Sequence, residues 1–379
     1  MTTDVLISAD SHVLEPADLW ATRLPVAYRE RAPRVFYDEA RDSWMFGCAE
    51  VPPQAIAASF VAGVAPDDLP AANQAGYAAA RPGGWDPKAR LADMALDGVS
   101  AEVLYPSLGL FMYWIEDPGF QAACFGAFND WLIEYRSAYP DRLLGVPMIA
   151  LWDAEAAAAE LRRCHAADLR GALIWELPPA SHAFTNPRND PFWAAAAELQ
   201  MPVSLHALTD WGCTRRAIVD GLHGLERHRA STGQIWEIQT ALFDVIFSGV
   251  LERFPTLQVV SVENEYGWLA AFLKRMDRTF DRFRRDEPIS LSMRPSEYYQ
   301  RQIWATFFND PVGPVTLPFL GDDHLMWSSD YPHQNSTWPN SRAIIERDLA
   351  DLPAEQRQKL VRDNVARLYG MQVPAPLPA

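Results

Sequence analysis

Short apolar runs recur along this chain, each followed by a longer amphipathic stretch, and that alternation constrains the fold more than any other feature. The runs are 4–9 (DVLISA), 101–105 (AEVLY), 143–150 (LLGVPMIA), 172–176 (ALIWE), 202–206 (PVSLH), 257–263 (LQVVSVE), 303–308 (IWATFF) and 325–329 (LMWSS). Their length and flanking polar residues read as strands. Helical spacing of apolar residues falls near 87–97, 117–138, 153–167, 191–199, 233–253, 265–284, 312–319, 340–349 and 354–369. Repeated β-α units of this number predict an α/β chain closed into a (β/α)8 TIM barrel. A doubly wound open sheet is the alternative, and neither a GxGxxG nor a P-loop is present to favour it.

One interval, residues 10–100, breaks the rhythm. Within it "RVFYDEARDSWMFG" has two apolar-aromatic arms around a polar turn, which predicts a hairpin. An Ala-, Pro- and Gly-rich excursion follows. We read 33–86 as an insertion or cap between the first and second strands of one barrel domain, 1–371, with 372–379 as a Pro-rich tail.

Composition narrows the partners. A formal charge of −16 opposes contact with phosphate backbones, so neither nucleic acid nor an anionic membrane is an expected partner, and a small-molecule substrate is. No stretch has the ~18–20 apolar residues of a membrane span, and no basic segment precedes an apolar one at the start, so a cytoplasmic location is expected. Cys48, Cys124, Cys164 and Cys213 have no paired spacing; reduced, structural roles are expected.

In a barrel the chemistry gathers at the C-terminal ends of the strands, so a polar residue that closes an apolar run carries extra weight. Asp10 and His12 close the first run, Glu176 the fourth, His206 the fifth, Glu263 the sixth and Asp330 the eighth. Parallel strands aim these ends at a common centre. Two imidazoles and two carboxylates suit a divalent ion of the Zn²⁺ or Mn²⁺ type with a position left for water or substrate. A cation also offsets the cost of burying the carboxylates. His333 follows Asp330 closely enough to line the pocket as a proton donor or to orient a ligand, and the other histidines read as surface or remote positions.

Taken together, "ISADSHVLEPADLW", "DMALDGVSAEVLYPS", "FNDWLIEY", "NDPFWAAAAELQMPVSLHA", "FPTLQVVSVENEYGWL", "WSSDYPHQNSTWP" and "NVARLYG" resemble the metal-dependent amidohydrolase superfamily, in the amidohydrolase 2 branch that includes aminocarboxymuconate semialdehyde decarboxylase and resorcylate-type decarboxylases. The resemblance runs from about residue 4 to 371. It implies metal ligands at Asp10, His12, His206 and Asp330, with Asp330 also handling a proton. No lysine in "ALIWE" is available for carbamylation, so one ion is expected, Zn²⁺ first and Mn²⁺ as the alternative. Two positions depart from the family pattern. Asp10 stands where His or Glu is usual, and either binds the ion directly or holds His12. Glu263 stands where some members carry a strand-six histidine. It acts as a base beside the ion, or it only accepts hydrogen bonds from the backbone, Tyr266 and Trp268.

The leading expectation is a metal-dependent hydrolase: Asp330 or Glu263 takes a proton from an activated water, and His333 serves as acid for the leaving group. A non-oxidative decarboxylase or hydratase on the same scaffold is the second reading, with Asp330 protonating a ring carbon. A barrel that binds a metabolite without catalysis is the third. Tyr105, Trp175 and Trp211 fall where they could wall an aromatic or cyclic substrate, and Arg215 and Arg216 where they could pair with its carboxylate. "IWEIQTALFDVIFSGVLERF" is apolar around much of a helix, which fits packing on the barrel or on a second copy; a homodimer is an expectation from the family.

Overall fold

The computed structural model describes residues 5–212, 215, 224–286 and 289–375; Cys213, Arg216 and the last residues of the tail lie outside them. The strands are β1 (Leu6–His12), β2 (Arg34–Asp38), β3 (Ser43–Gly47), β4 (Gln54–Ala55), β5 (Val99–Tyr105), β6 (Leu143–Gly145), β7 (Ala172–Ile174), β8 (Val203–His206), β9 (Val259–Val262), β10 (Ile303–Phe307) and β11 (Leu325–Trp327). Each of the eight apolar runs overlaps one barrel strand; β1 runs past the first to His12 and β5 begins before the second at Val99. They pair in parallel in two arcs, β1-β5-β6 and β7-β8-β9-β10-β11.

Two seams join the arcs. On one side Met148 bridges Leu173, Ile149 N donates to Leu173 O at 2.9 Å and Leu173 N donates to Pro147 O at 2.8 Å. On the other, Asp330 N donates to Asp10 O at 2.9 Å and His12 N donates to Tyr331 O at 2.6 Å, so the chain just after β11 returns to β1. Hydroxyls fill this second seam: Ser329 N donates to Ser8 Oγ at 2.8 Å, and Ser11 Oγ lies 3.0 Å from Ser329 Oγ. The β1–β5 register slips between Ser8 and Ser11, within the stretch that carries Asp10.

Helices cover the outside for the reasons their sequences supply. In Pro118–Ser137, Asp117 caps the first turn by accepting from Gly119 N and Phe120 N, a contact worth about 1 kcal/mol, and Pro118 sits where no N–H is needed. Phe120, Cys124, Phe128 and Leu132 then follow at helical spacing and are buried on the barrel. The reading of one helix over 233–253 differs from the structure, where Leu225–Phe247 ends and Val250–Arg253 begins anew; Gly249, at φ 74°, adopts the left-handed conformation that breaks the run. The helix Pro295–Gln302 was not anticipated, because its apolar content is low and its ends are set by polar contacts, Arg294 N to Glu297 Oε2 and Ser296 N to Asp277 Oδ1. No helix among the described residues is long and apolar enough to cross a membrane.

In the 33–86 segment, β2 and β3 pair antiparallel from Arg34 opposite Gly47 to Asp38 opposite Ser43, and β4 adds a short third strand. The segment reaches the barrel mouth. Leu14 N donates to Gly84 O, Ala62 N to Pro332 O and Gln334 N to Ala58 O. Those contacts tie it to the chain leaving β1 and β11, where the metal-capable side chains lie.

Candidate metal centre

Asp10 and His12 stand at the end of β1, His206 is the last residue of β8, Glu263 follows β9 directly and Asp330 follows β11. Glu263 and Asp330 both hold left-handed backbone, φ 60° and 55°, which costs a side-chain-bearing residue free energy. Local bonds enforce it: Glu263 N donates to Thr306 Oγ1 at 3.0 Å, and Asp330 N is the seam donor to Asp10 O.

The side chains converge. His12 Nε2 lies 3.3 Å from Asp10 Oδ1 and 3.4 Å from Asp330 Oδ1, and His206 Nε2 lies 3.6 Å from Asp10 Oδ1. Each ring is fixed from behind. His12 Nδ1 donates to Pro106 O at 2.7 Å and His206 Nδ1 to Ala207 O at 2.8 Å, which turns both Nε2 lone pairs toward the centre. Asp10, His12 and His206 are completely buried, yet Asp10 Oδ1 and Oδ2, both Nε2 atoms and both Asp330 carboxylate oxygens have no hydrogen-bond partner. Buried polar atoms without partners are costly, and a divalent cation held by Asp10, His12 and His206, with Asp330 beside His12, would relieve that cost. The donor set therefore fits a single ion.

Charge follows the same geometry. Against the burial that raises it, His12 and His206 hold the Asp10 carboxyl well below the usual range. Burial and the neighbouring His333 lower His12 to about 4, whereas Asp10 and Glu263 overcome burial and raise His206 to about 9. Burial raises Asp330 to about 7.

His333 packs between Asp330 and Ser107. Its Nδ1 lies 2.9 Å from Asp330 Oδ1 and its Nε2 lies 2.9 Å from Ser107 Oγ. Ser107 spends its only hydrogen on Val13 O at 2.7 Å, so it accepts from His333 Nε2. The neutral ring then offers its Nδ1 lone pair to Asp330.

The other predicted residues divide. Glu263 Oε2 comes 3.7 Å from His206 Nδ1 and has no hydrogen-bond partner; its side chain is 20% exposed. Tyr266 and Trp268 do not serve it, since Trp268 Nε1 donates to Asn264 O and the Tyr266 hydroxyl makes no bond. Glu176 lies outside the ligand cluster, accepting from Asn264 Nδ2 at 3.0 Å, and burial beside Asp210 raises its pKa. Tyr105 is buried with its hydroxyl 2.9 Å from Ser204 Oγ and 3.2 Å from the Tyr369 hydroxyl, so its ring packs 5.2 Å from that of His206 rather than walling a substrate. Trp175 and Trp211 both donate to Tyr113 O at 2.9 Å, and Trp175 is buried. Arg215 lies over the Trp211 ring and pairs with Glu116 at 3.0 Å, a surface contact. Tyr105 and Trp175 thus lie in the core with their polar atoms bonded, whereas Trp211 is half-buried and Arg215 keeps an unpartnered Nε.

Sequence reasoning missed Glu15, Arg90, Ser107 and Glu102, which support the ligands without touching the centre. Arg90 is buried, donates to His12 O at 2.7 Å and to Glu102 Oε2 at 2.6 Å, and stacks over Tyr331. Buried charge in an apolar helix, "KARLADM", was the available signal.

A (β/α)8 barrel that gathers unpartnered imidazole and carboxylate atoms at its strand ends has the layout of barrel enzymes built around a metal ion. The chain belongs to the amidohydrolase family, whose model matches residues 16–371. It is similar to the gamma-resorcylate decarboxylase of Rhodococcus jostii (strain RHA1), 27% identical over 261 residues that make up 64% of this chain and 74% of that protein. An amidohydrolase from Mycobacterium avium subsp. paratuberculosis K-10 superposes with a TM-score of 0.80 at 21% identity, over 98% of this chain and 100% of that one. A 5-carboxyvanillate decarboxylase from Novosphingobium aromaticivorans DSM 12444, complexed with manganese and 4-hydroxy-3-methoxy-5-nitrobenzoic acid, does so with a TM-score of 0.69 at 19% identity, over 98% and 100%.

Proposed function

We propose that this protein is a metal-dependent, non-oxidative decarboxylase of a hydroxylated aromatic acid. The observation that carries the reading is the 2.9 Å contact between Asp330 Oδ1 and His333 Nδ1 beside the ligand cluster, a spacing at which the two groups can share one proton. The curated decarboxylase relative supports it over hydrolysis. Asp10, His12 and His206 form one grouping that would hold the ion and Asp330 joins it from a second, with His12 and His333; manganese, present in a decarboxylase of the same fold, is the first choice and zinc the second. When bound, the ion supplies a positive centre for the substrate carboxylate and an adjacent ring hydroxyl. Asp330, supplied with a proton through His333, gives it to the carbon that bears the carboxylate. The bond from that carbon to the carboxylate breaks, its electron pair returns to the ring, and CO2 leaves. His333, 13% exposed, keeps the Asp330 carboxyl oriented and returns a proton from the solvent side. Burial and the nearby Asp330 raise the pKa of Glu263, which lessens its repulsion of a substrate carboxylate.

The deciding experiment is incubation of the manganese-loaded protein with 2,6-dihydroxybenzoate and 5-carboxyvanillate. CO2 release with loss of the carboxyl group supports the reading. Absence of CO2 release from both acids by the loaded protein overturns it.

A further inference from the structure

Immediately after the first ligand motif the chain reads His12-Val13-Leu14-Glu15-Pro16, and Glu15 is completely buried. Among the described residues no Lys, Arg or His forms an ion pair with it; its oxygens instead accept from Leu108 N at 3.0 Å and Gly109 N at 2.9 Å. Those two N–H groups open the Leu108–Trp114 segment that follows β5. A buried carboxylate compensated by backbone alone is a poor source of stability, so its position calls for another explanation.

The residues just before those donors supply it. Pro106 O accepts from His12 Nδ1, and Ser107 Oγ accepts from His333 Nε2. One short segment therefore orients both imidazoles, and Glu15 grips that segment from below. The fit is tight: a Cβ at Gly109 would come 2.8 Å from Pro106 Cβ, 2.9 Å from Met148 Sδ and 3.1 Å from Glu15 Oε1. Tyr77, from the 33–86 segment, donates its hydroxyl to Glu15 O and so fixes the Glu15 backbone as well.

We propose that Glu15 is a positioning residue of the metal centre, a carboxylate clamp on the 106–109 segment that sets the ring orientation of His12 and, through Ser107, of His333. The proposal rests on the metal-centre reading but not on the class of reaction, because its primary readout is metal affinity. Loss of a partner that orients a ligand typically weakens metal binding by about 10–100-fold.

The test is Glu15→Gln in the full chain. Glutamine keeps the length, accepts from one N–H and sets its own NH2 against the other. Manganese titration of the metal-free variant by calorimetry should show affinity lowered by about 10-fold or more, while the thermal midpoint of the metal-free protein holds or rises. Glu15→Asp, which keeps the charge but shortens the reach, should give an intermediate loss, and it carries the test should Glu15→Gln fail to fold. Parent affinity in the folded variants, or a lower metal-free midpoint with parent affinity, would show that Glu15 supports only the fold and would overturn the proposal. Failure of the decarboxylation assay with this affinity pattern intact would leave the clamp standing and remove only the reaction.

Discussion

The imidazoles of His12 and His333 lie stacked with centroids 3.8 Å apart, yet they face opposite tasks. His12 turns Nε2 to the ligand cluster and anchors Nδ1 on Pro106 O, whereas His333 turns Nδ1 to Asp330 and anchors Nε2 on Ser107. Neighbouring anchors, Pro106 and Ser107, thus turn one ring to the ligand cluster and its neighbour to Asp330.

That division predicts separable variants. His333→Gln should lower kcat by about 10²–10⁴-fold, the usual contribution of a positioned acid-base group. Manganese affinity should stay near that of the parent, because His333 donates nothing to the ligand set. Steady-state kinetics beside calorimetric titration checks both, and a variant that loses metal but keeps its turnover number would contradict the assignment.

Asp10 is the ligand most open to doubt by sequence, and affinity distinguishes its two roles. With both oxygens unpartnered and Oδ1 at 3.3 and 3.6 Å from the two Nε2 atoms, direct binding is expected. Asp10→Ala should then weaken manganese binding beyond the ~10–100-fold of a residue that only orients a ligand. In the parent, manganese at 100 times its Kd should stabilise the fold by about 2.7 kcal/mol, a gain that His206→Ala abolishes; melting curves with and without chelator report it.

Metal binding should strengthen as pH rises from 6 to 9. His206 is raised from 6.5 to about 9, so its protonated form stabilises the metal-free fold fully below 6.5, and that contribution is lost as pH climbs through 9. Asp330, raised from 3.8 to about 7, behaves alike between those values. Both protons must leave before the atoms can bind a cation, so affinity gains up to about tenfold per pH unit for each proton released. His12 and His333, lowered to about 4 and 3, act in the opposite sense: their stabilisation is complete above 6.5 and is lost as pH falls through those values. Titrations at several pH values test this, and flat or falling affinity would refute it.

Arg90 joins a buried ion pair to the backbone of His12, so Arg90→Met should cost about 3–5 kcal/mol by leaving Glu102 buried and unpaired. Urea unfolding of the metal-free protein measures it. Arg215→Ala, at the exposed Glu116 pair, should cost under about 1 kcal/mol and leave KM unchanged; a raised KM would return Arg215 to the substrate.

The sequence alone determined the eight-strand rhythm and the polar residues that end the strands. Both are local properties: apolar runs of strand length punctuated by turns, with Asp10, His12, His206, Glu263 and Asp330 at the run ends. Tertiary structure decided everything that depends on what a side chain meets. Trp175 and Arg215 looked available for substrate until Tyr113 O and Glu116 were found to occupy them. Glu15 carries no local signal of its role, because its partners Leu108 N and Gly109 N come from far along the chain. Hydrogen-bond partners distant in sequence leave no periodic trace, so periodicity located the centre while only packing revealed how it is held.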